Sequence, residues 1–192
     1  MKSKKNKKEK IDLEKLALIL VELKLEKNSH PVKKFNRLAK DAETKNQKYA
    51  EKAFLEYLIF DLFTDNACFI LAFGQDVSFK LFQVYYSNII VQLMGEGYKI
   101  DCKNIDKLFE KRFIEYHNYL KEYDPKFIKK TNPNNYLPGL GKAFSLNFIG
   151  CKDPVVIYAV HLEFVRKIQF IYNKFLKELS EKYEIIPEGT KK

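Results

Sequence analysis

The last long segment of the chain constrains the fold most, because its apolar residues follow the spacing of a helix. After Asp153 and Pro154, such residues recur at steps of three and four: Ile157, Val160, Phe164, Ile168, Ile171, Phe175 and Leu179. This period describes a helix with one apolar face, which other elements must cover. Earlier parts of the chain repeat the pattern. The sequence therefore predicts an all-α fold, a mostly antiparallel bundle of five to seven helices with a helix over 154–183 along its outside.

Similar apolar stripes define the other helices. Asp12 is placed to cap a first helix that runs to about Lys27, and Pro31 suits the first turn of the next one. Residues 31–63 then form either one long helix or two shorter ones. Residues 66–94 are the most apolar part and are expected to form the core, although the run Ala67–Phe73 by itself does not distinguish a buried helix from a strand.

The segment 124–154 interrupts this pattern. It holds four of the six prolines and three of the seven glycines, so we expect it to be irregular, with one short helix around Ala143–Phe148. Gly139-Leu-Gly141-Lys142 is similar to part of a phosphate-binding loop. The full motif needs a first glycine where Tyr136 stands and a serine or threonine where Ala143 stands, so no nucleotide site is predicted.

The net charge of +10 is concentrated at the amino end. Residues 1–10 carry six lysines and one glutamate, which predicts a disordered Lys-rich tail ahead of a single helical-bundle domain at 11–186 and a second tail at 187–192. One interpretation is a solvated tail. The other is an arm that binds RNA or another polyanion, with four candidate residues: Lys4, Lys5, Lys7 and Lys8.

Cysteine and histidine spacing argues against metal chemistry. Cys68, Cys102 and Cys151 have no zinc-ligand spacing, and no histidine has a glutamate three residues before it, as a di-iron bundle requires. We therefore predict no metal and no cofactor. An odd cysteine count without a secretory signal favours the cytoplasm. The longest uncharged stretch, Leu81–Gly95, has 15 residues, whereas a membrane helix needs about 20, so no span is predicted.

One short pattern carries catalytic chemistry, Arg112-Phe-Ile-Glu-Tyr-His117. It resembles the Arg-x4–6-His motif of HEPN domains, all-helical bundles often found in metal-independent ribonucleases that pair their motifs across a dimer. The resemblance implies that Arg112 binds the scissile phosphate and that His117 assists proton transfer. On one straight helix the two side chains project about 140° apart, so a site needs another helix, another subunit or a break. The alternative is that Arg112 pairs with a carboxylate such as Asp61 or Asp65.

Three functions remain open. The 16 Phe and 12 Tyr, without a convergent chemical set, favour a non-enzymatic interaction or self-associating module whose partner is a helical protein or a second copy. The HEPN-like ribonuclease is the alternative, and it would make the protein an enzyme. The second alternative is a bundle that binds a small molecule in a pocket lined by tyrosines, namely Tyr85, Tyr86, Tyr116, Tyr119 and Tyr158.

Overall fold

The structure is a computed structural model that describes residues 8–26, 30–41, 47–120, 139–150, 154–171 and 176–186. Within these ranges it contains eight helices and one two-stranded parallel sheet, which confirms the predicted all-α class. In chain order the elements are β1 Glu9–Asp12, α1 Leu13–Leu25, α2 Pro31–Asp41, α3 Gln47–Phe73, α4 Gln75–Gly95, α5 Cys102–Leu120, α6 Gly139–Ile149, α7 Pro154–Ile171, α8 Lys177–Lys182 and β2 Tyr183–Ile186.

The described ranges contain eight helices, one more than the upper end of the expected five to seven. The segment predicted as one helix over 154–183 contains α7 and the short α8, and residues 172–175 between them lie outside the described residues. β2 begins at Tyr183. β2 pairs in parallel with β1, with Ile11 opposite Ile185. This pairing supplies backbone partners that a longer helix would otherwise provide, and isoleucine and tyrosine suit an extended strand.

Several local predictions are confirmed. The Asp12 carboxylate caps α1 by accepting a hydrogen bond from the Lys15 backbone N–H at 2.7 Å. The run Ala67–Phe73 is the helical end of α3. The described part of residues 31–63 contains α2 and the first part of α3, and residues 42–46 between them lie outside the described residues. In the segment expected to be irregular, α6 is longer than predicted. The tail residues Lys4, Lys5 and Lys7, the segment 121–138 and the tail 187–192 lie outside the described residues.

Contacts within the chain divide it into two compact units. The first comprises Met1–Glu26, Asp65–Tyr98 and Ile168–Lys192, and the second comprises Lys27–Thr64 and Lys99–Lys167. A single domain over 11–186 therefore remains a prediction. In the first unit α1 packs on α4, with buried leucines on both helices such as Leu16 and Leu81. This unit also buries a polar group, in which Asp65 accepts hydrogen bonds from Lys24 Nζ at 2.5 Å and Tyr85 OH at 2.9 Å.

The core of the second unit is aromatic. Phe60 of α3 stacks on Phe144 of α6 with ring centroids 4.0 Å apart, and it meets Tyr116 of α5 edge-on at 5.5 Å. Phe164 of α7 lies 5.8 Å from Phe60. Four helices thus meet around one ring, and such pairs stabilise a core beyond their buried area. Among the described helices of both units, none is long and apolar enough to cross a membrane.

Candidate functional site

Arg112 lies on α5 in the second unit, and carboxylates surround its guanidinium. Its Nε and Nη2 donate to the two oxygens of Glu56 on α3 at 2.8 Å and 2.6 Å, a bidentate pair. Its Nη1 donates to Glu115, three residues along α5, at 2.8 Å. The Glu56 side chain is fully buried. All three guanidinium nitrogens therefore have carboxylate partners, of which Glu56 is buried and Glu115 is partly exposed.

The surrounding groups complete a polar cluster, which we call the Arg112 cluster: Arg112, Glu56, Glu115, Tyr116 and Asn147. Asn147 Nδ2 on α6 donates to Glu115 at 3.1 Å and lies 3.5 Å from the Tyr116 hydroxyl. The hydrogen bonds that Arg112 donates to Glu56 raise the pKa of Arg112, so the guanidinium stays charged. Burial raises the pKa of the Tyr116 phenol, which stays neutral.

His117 follows Tyr116 on α5 but is exposed to solvent. Its ring stacks on Phe113 of the same helix, with centroids 6.4 Å apart and planes 12° from parallel. Arg112 is instead held toward α3 by Glu56. The structure thus places Arg112 in an internal ion pair and His117 on the outside of α5.

This arrangement gives the ribonuclease prediction no support. A substrate phosphate would have to displace Glu56 from Arg112, and that would leave a buried carboxylate without its cation. With two carboxylates for one guanidinium, the Arg112 cluster also carries a net charge of about −1, which repels a phosphate. The roles of Arg112 and His117 in RNA cleavage therefore remain a prediction from the motif.

The alternative prediction, that Arg112 pairs with a carboxylate of the protein, is confirmed, but that carboxylate is neither Asp61 nor Asp65. Arg112 pairs with Glu56, whereas Asp61 and Asp65 pair with other cations. In the second unit, Lys167 of α7 contacts both the carboxylate and the backbone carbonyl of Asp61. In the first unit, Lys24 pairs with Asp65. Helix α3 therefore carries three buried carboxylates, each matched to a basic residue on a different helix.

Sequence reasoning missed Glu56 although a signal was present. Glu56, Phe60 and Phe63 follow the steps of four and three that place side chains on one helix face. Phe60 and Phe63 are buried, so a glutamate in the same row must also be buried and must find a cation. The sequence did not identify that cation, because Arg112 is 56 residues away along the chain.

The other candidate residues do not form a site in the described part of the chain. Lys8 is exposed, and its Nζ donates to the Ser180 carbonyl at 2.7 Å. Of the five tyrosines, Tyr85 and Tyr86 belong to the first unit and the other three to the second. Tyr85 and Tyr116 are buried, each near polar side chains. The expectation of a tyrosine-lined pocket remains a prediction.

The glycine pair of the discounted phosphate loop has a packing role. Gly139 and Gly141 lie in the first turn of α6, and a Cβ atom at Gly141 would come within 2.6 Å of the Ile157 carbonyl oxygen on α7. Glycine at this position lets the two helix backbones approach closely. Elsewhere in the described ranges, no group of three or more His, Cys, Asp or Glu could hold a metal ion.

In the part of the second unit that the structure describes, adjacent exposed apolar residues lie on the side of α7 that is opposite the core. Ile157 and Phe164 face inward, whereas Leu162 is 64% exposed and Tyr158, one turn before it, is 39% exposed. The charged residues in this exposed row are Glu163 and Arg166. We call the following set the outer face of α7: Tyr158, Ala159, Leu162, Glu163 and Arg166.

The exposed side of α5, in the same unit, has the opposite character. It carries three lysines at steps of four, and acidic residues lie beside them: Lys103, Asp106, Lys107, Glu110 and Lys111. Ile114 is 60% exposed but stands among these charges. Scattered exposed apolar residues are ordinary on protein surfaces, whereas adjacent ones in a row call for an explanation. Ile114 therefore offers a matched control for Leu162.

Comparison with protein-family models, with curated proteins and with solved structures finds no match for this chain.

Proposed function

We propose that the protein is a non-enzymatic interaction module that binds a helical partner through the outer face of α7. The exposure of Leu162 beside Tyr158 carries the proposal. Covering two adjacent apolar side chains with a partner removes them from water, which favours binding. The position on a regular helix suits a partner helix, whose side chains would pack between those of α7. In the Arg112 cluster the guanidinium already donates to two carboxylates, which favours a binding role for the protein over a catalytic one.

The experiment compares three forms of the full chain, wild type, Leu162→Glu and Ile114→Glu, each carrying an affinity tag in cells that also express an untagged copy. Co-purifying polypeptides are identified and quantified by mass spectrometry. We expect a specific polypeptide, this chain or another, to be lost with Leu162→Glu and kept with Ile114→Glu. Identical sets for all three forms would contradict the proposal. Circular dichroism of each purified form establishes that it is folded.

The metal-independent ribonuclease remains the alternative, with Arg112 and His117 as its working pair. It predicts RNA cleavage in EDTA that is lost in His117→Ala, a change at an exposed residue that leaves the fold intact. Intact RNA after incubation with concentrated wild-type protein would remove it. A polyanion partner for the four tail lysines predicts RNA binding that weakens steeply with salt.

We also infer a cytoplasmic location. The chain has three cysteines, an odd number that cannot all pair within one copy, and a reducing compartment keeps thiols reduced. Fractionation of cells that express the chain with its native ends tests this inference. Recovery with secreted or membrane material would overturn it.

A further inference from the structure

We propose that the partner of the outer face of α7 is a second copy of this chain, docked antiparallel across a two-fold axis that passes between residues 164 and 165. This inference rests on the proposed function and names the occupant of that surface. Its basis is the charge pattern of the face, which complements itself.

The charges of the face make it suitable for an identical partner. The whole chain carries a net charge of +10, so two copies repel each other at most orientations. The outer face of α7 carries one acidic and one basic residue, Glu163 and Arg166, and is therefore neutral. Two such faces can meet without net repulsion, whereas the exposed row on α5 carries three lysines against two acidic residues and therefore has a net positive charge.

The spacing of the two charges fits an isologous interface. A two-fold axis places each residue of one copy opposite its counterpart in the other, so the same contact forms twice. With the axis between 164 and 165, Glu163 and Arg166 each lie one and a half residues from it, on opposite sides. In an antiparallel pair, Glu163 of one copy is therefore level with Arg166 of the other, and two ion pairs form.

The apolar residues fit the same register. Leu162 lies two and a half residues from the axis, so the two Leu162 side chains stand about 7.5 Å apart along the helices, close enough to pack diagonally. Phe164, next to the axis, points into the core of its own unit and does not obstruct the approach. One helix row on each copy buries less area than a standard interface of about 800 Å² per partner, so we expect a weak, reversible dimer.

The experiment is sedimentation equilibrium of the purified full chain from about 1 to 200 μM, a range that brackets a weak interface. We expect a monomer–dimer equilibrium for wild type and a dissociation constant weakened about tenfold or more by Glu163→Arg or by Arg166→Glu. The double variant, Glu163→Arg with Arg166→Glu, exchanges the charges and should restore the constant to within about threefold of wild type. Glu110→Lys on α5 makes the same kind of charge change away from the face and should leave it unchanged.

The outcomes separate this inference from the proposed function. A wild-type chain that is monomeric throughout the range overturns the second copy as partner, but a different polypeptide lost with Leu162→Glu would still support an interaction module. A dimer that neither Leu162→Glu nor the single charge reversals weaken overturns this use of the face. Single reversals that weaken the dimer without rescue by the double variant overturn the antiparallel register.

Discussion

Two regions of the second unit reverse the usual placement of polar and apolar side chains. The Arg112 cluster puts charges inside, whereas the outer face of α7 puts a leucine and a tyrosine outside. The buried charges are matched, because each guanidinium nitrogen meets a carboxylate, and matched groups offset much of their desolvation cost. Leu162 has no comparable compensation within its own unit. The first region is thus explained by the fold, and the second calls for a partner.

The largest expected effect is at the Arg112 cluster. Arg112→Ala leaves the fully buried Glu56 without its cation, and we expect the free energy of unfolding to fall by about 3–5 kcal/mol. Urea denaturation followed by circular dichroism measures it. Arg166→Ala, at an exposed arginine, is the matched control when measured at about 1 μM, where a weak dimer is dissociated, and should change stability by less than about 0.5 kcal/mol.

A double variant sharpens this test. Arg112→Met combined with Glu56→Gln removes both charges, and most of the lost stability should return, since the burial of an unpaired charge is the main cost. If Arg112→Ala lowered the free energy of unfolding by less than about 1 kcal/mol, the guanidinium would not stabilise the fold, and a role in binding a phosphate would be favoured.

The next effect concerns the contact that positions α7 against α6. A Cβ atom at Gly141 would collide with the Ile157 carbonyl oxygen, which is backbone and cannot rotate away. We expect Gly141→Ala to cost about 1–3 kcal/mol in thermal or urea unfolding. Gly95, at the end of α4, has open space around its Cβ position and is the control. Gly95→Ala should be neutral or slightly stabilising, so equal losses at both glycines would contradict the close packing of α6 and α7.

Local signals predicted the helices well, because a helix is specified by residues a few positions apart. The Asp12 cap of α1 is of this kind. The strand pair was missed, since β1 and β2 lie at opposite ends of the chain and four residues give little pattern. The helix period indicates that Glu56 and Arg112 lie near the core, but it does not show that they pair, because they are 56 residues apart in the sequence. Leu162 lies off the predicted stripe, and periodicity says only that it faces away from the core, not whether anything covers it.

Tyr116 gives a smaller effect that depends on pH. Burial raises the pKa of its phenol above the ordinary value of 10.0, which the unfolded chain keeps. Above about pH 10 the unfolded state therefore loses a proton that the folded state retains, and the free energy of unfolding falls as the pH rises. Urea titrations at each pH measure the slope of the free energy of unfolding against pH. Between about pH 9.5 and 11, we expect Tyr116→Phe to reduce this slope by the equivalent of about one proton. Tyr119→Phe, at a half-buried tyrosine, is the control, and an unchanged slope in Tyr116→Phe would contradict the burial of the phenol.

The smallest expected effect on stability is at Leu162, and it distinguishes the outer face of α7 most directly from the Arg112 cluster. If Leu162 is exposed for a partner and not for the fold, Leu162→Glu should change the free energy of unfolding by less than about 0.5 kcal/mol, like Ile114→Glu. Urea titration at about 1 μM, where a weak dimer is dissociated, measures the monomer alone. A loss of about 2 kcal/mol or more at Leu162 would mean that its side chain packs within its own chain. If Leu162→Glu leaves the free energy of unfolding unchanged but weakens association, the outer face of α7 serves binding and not folding.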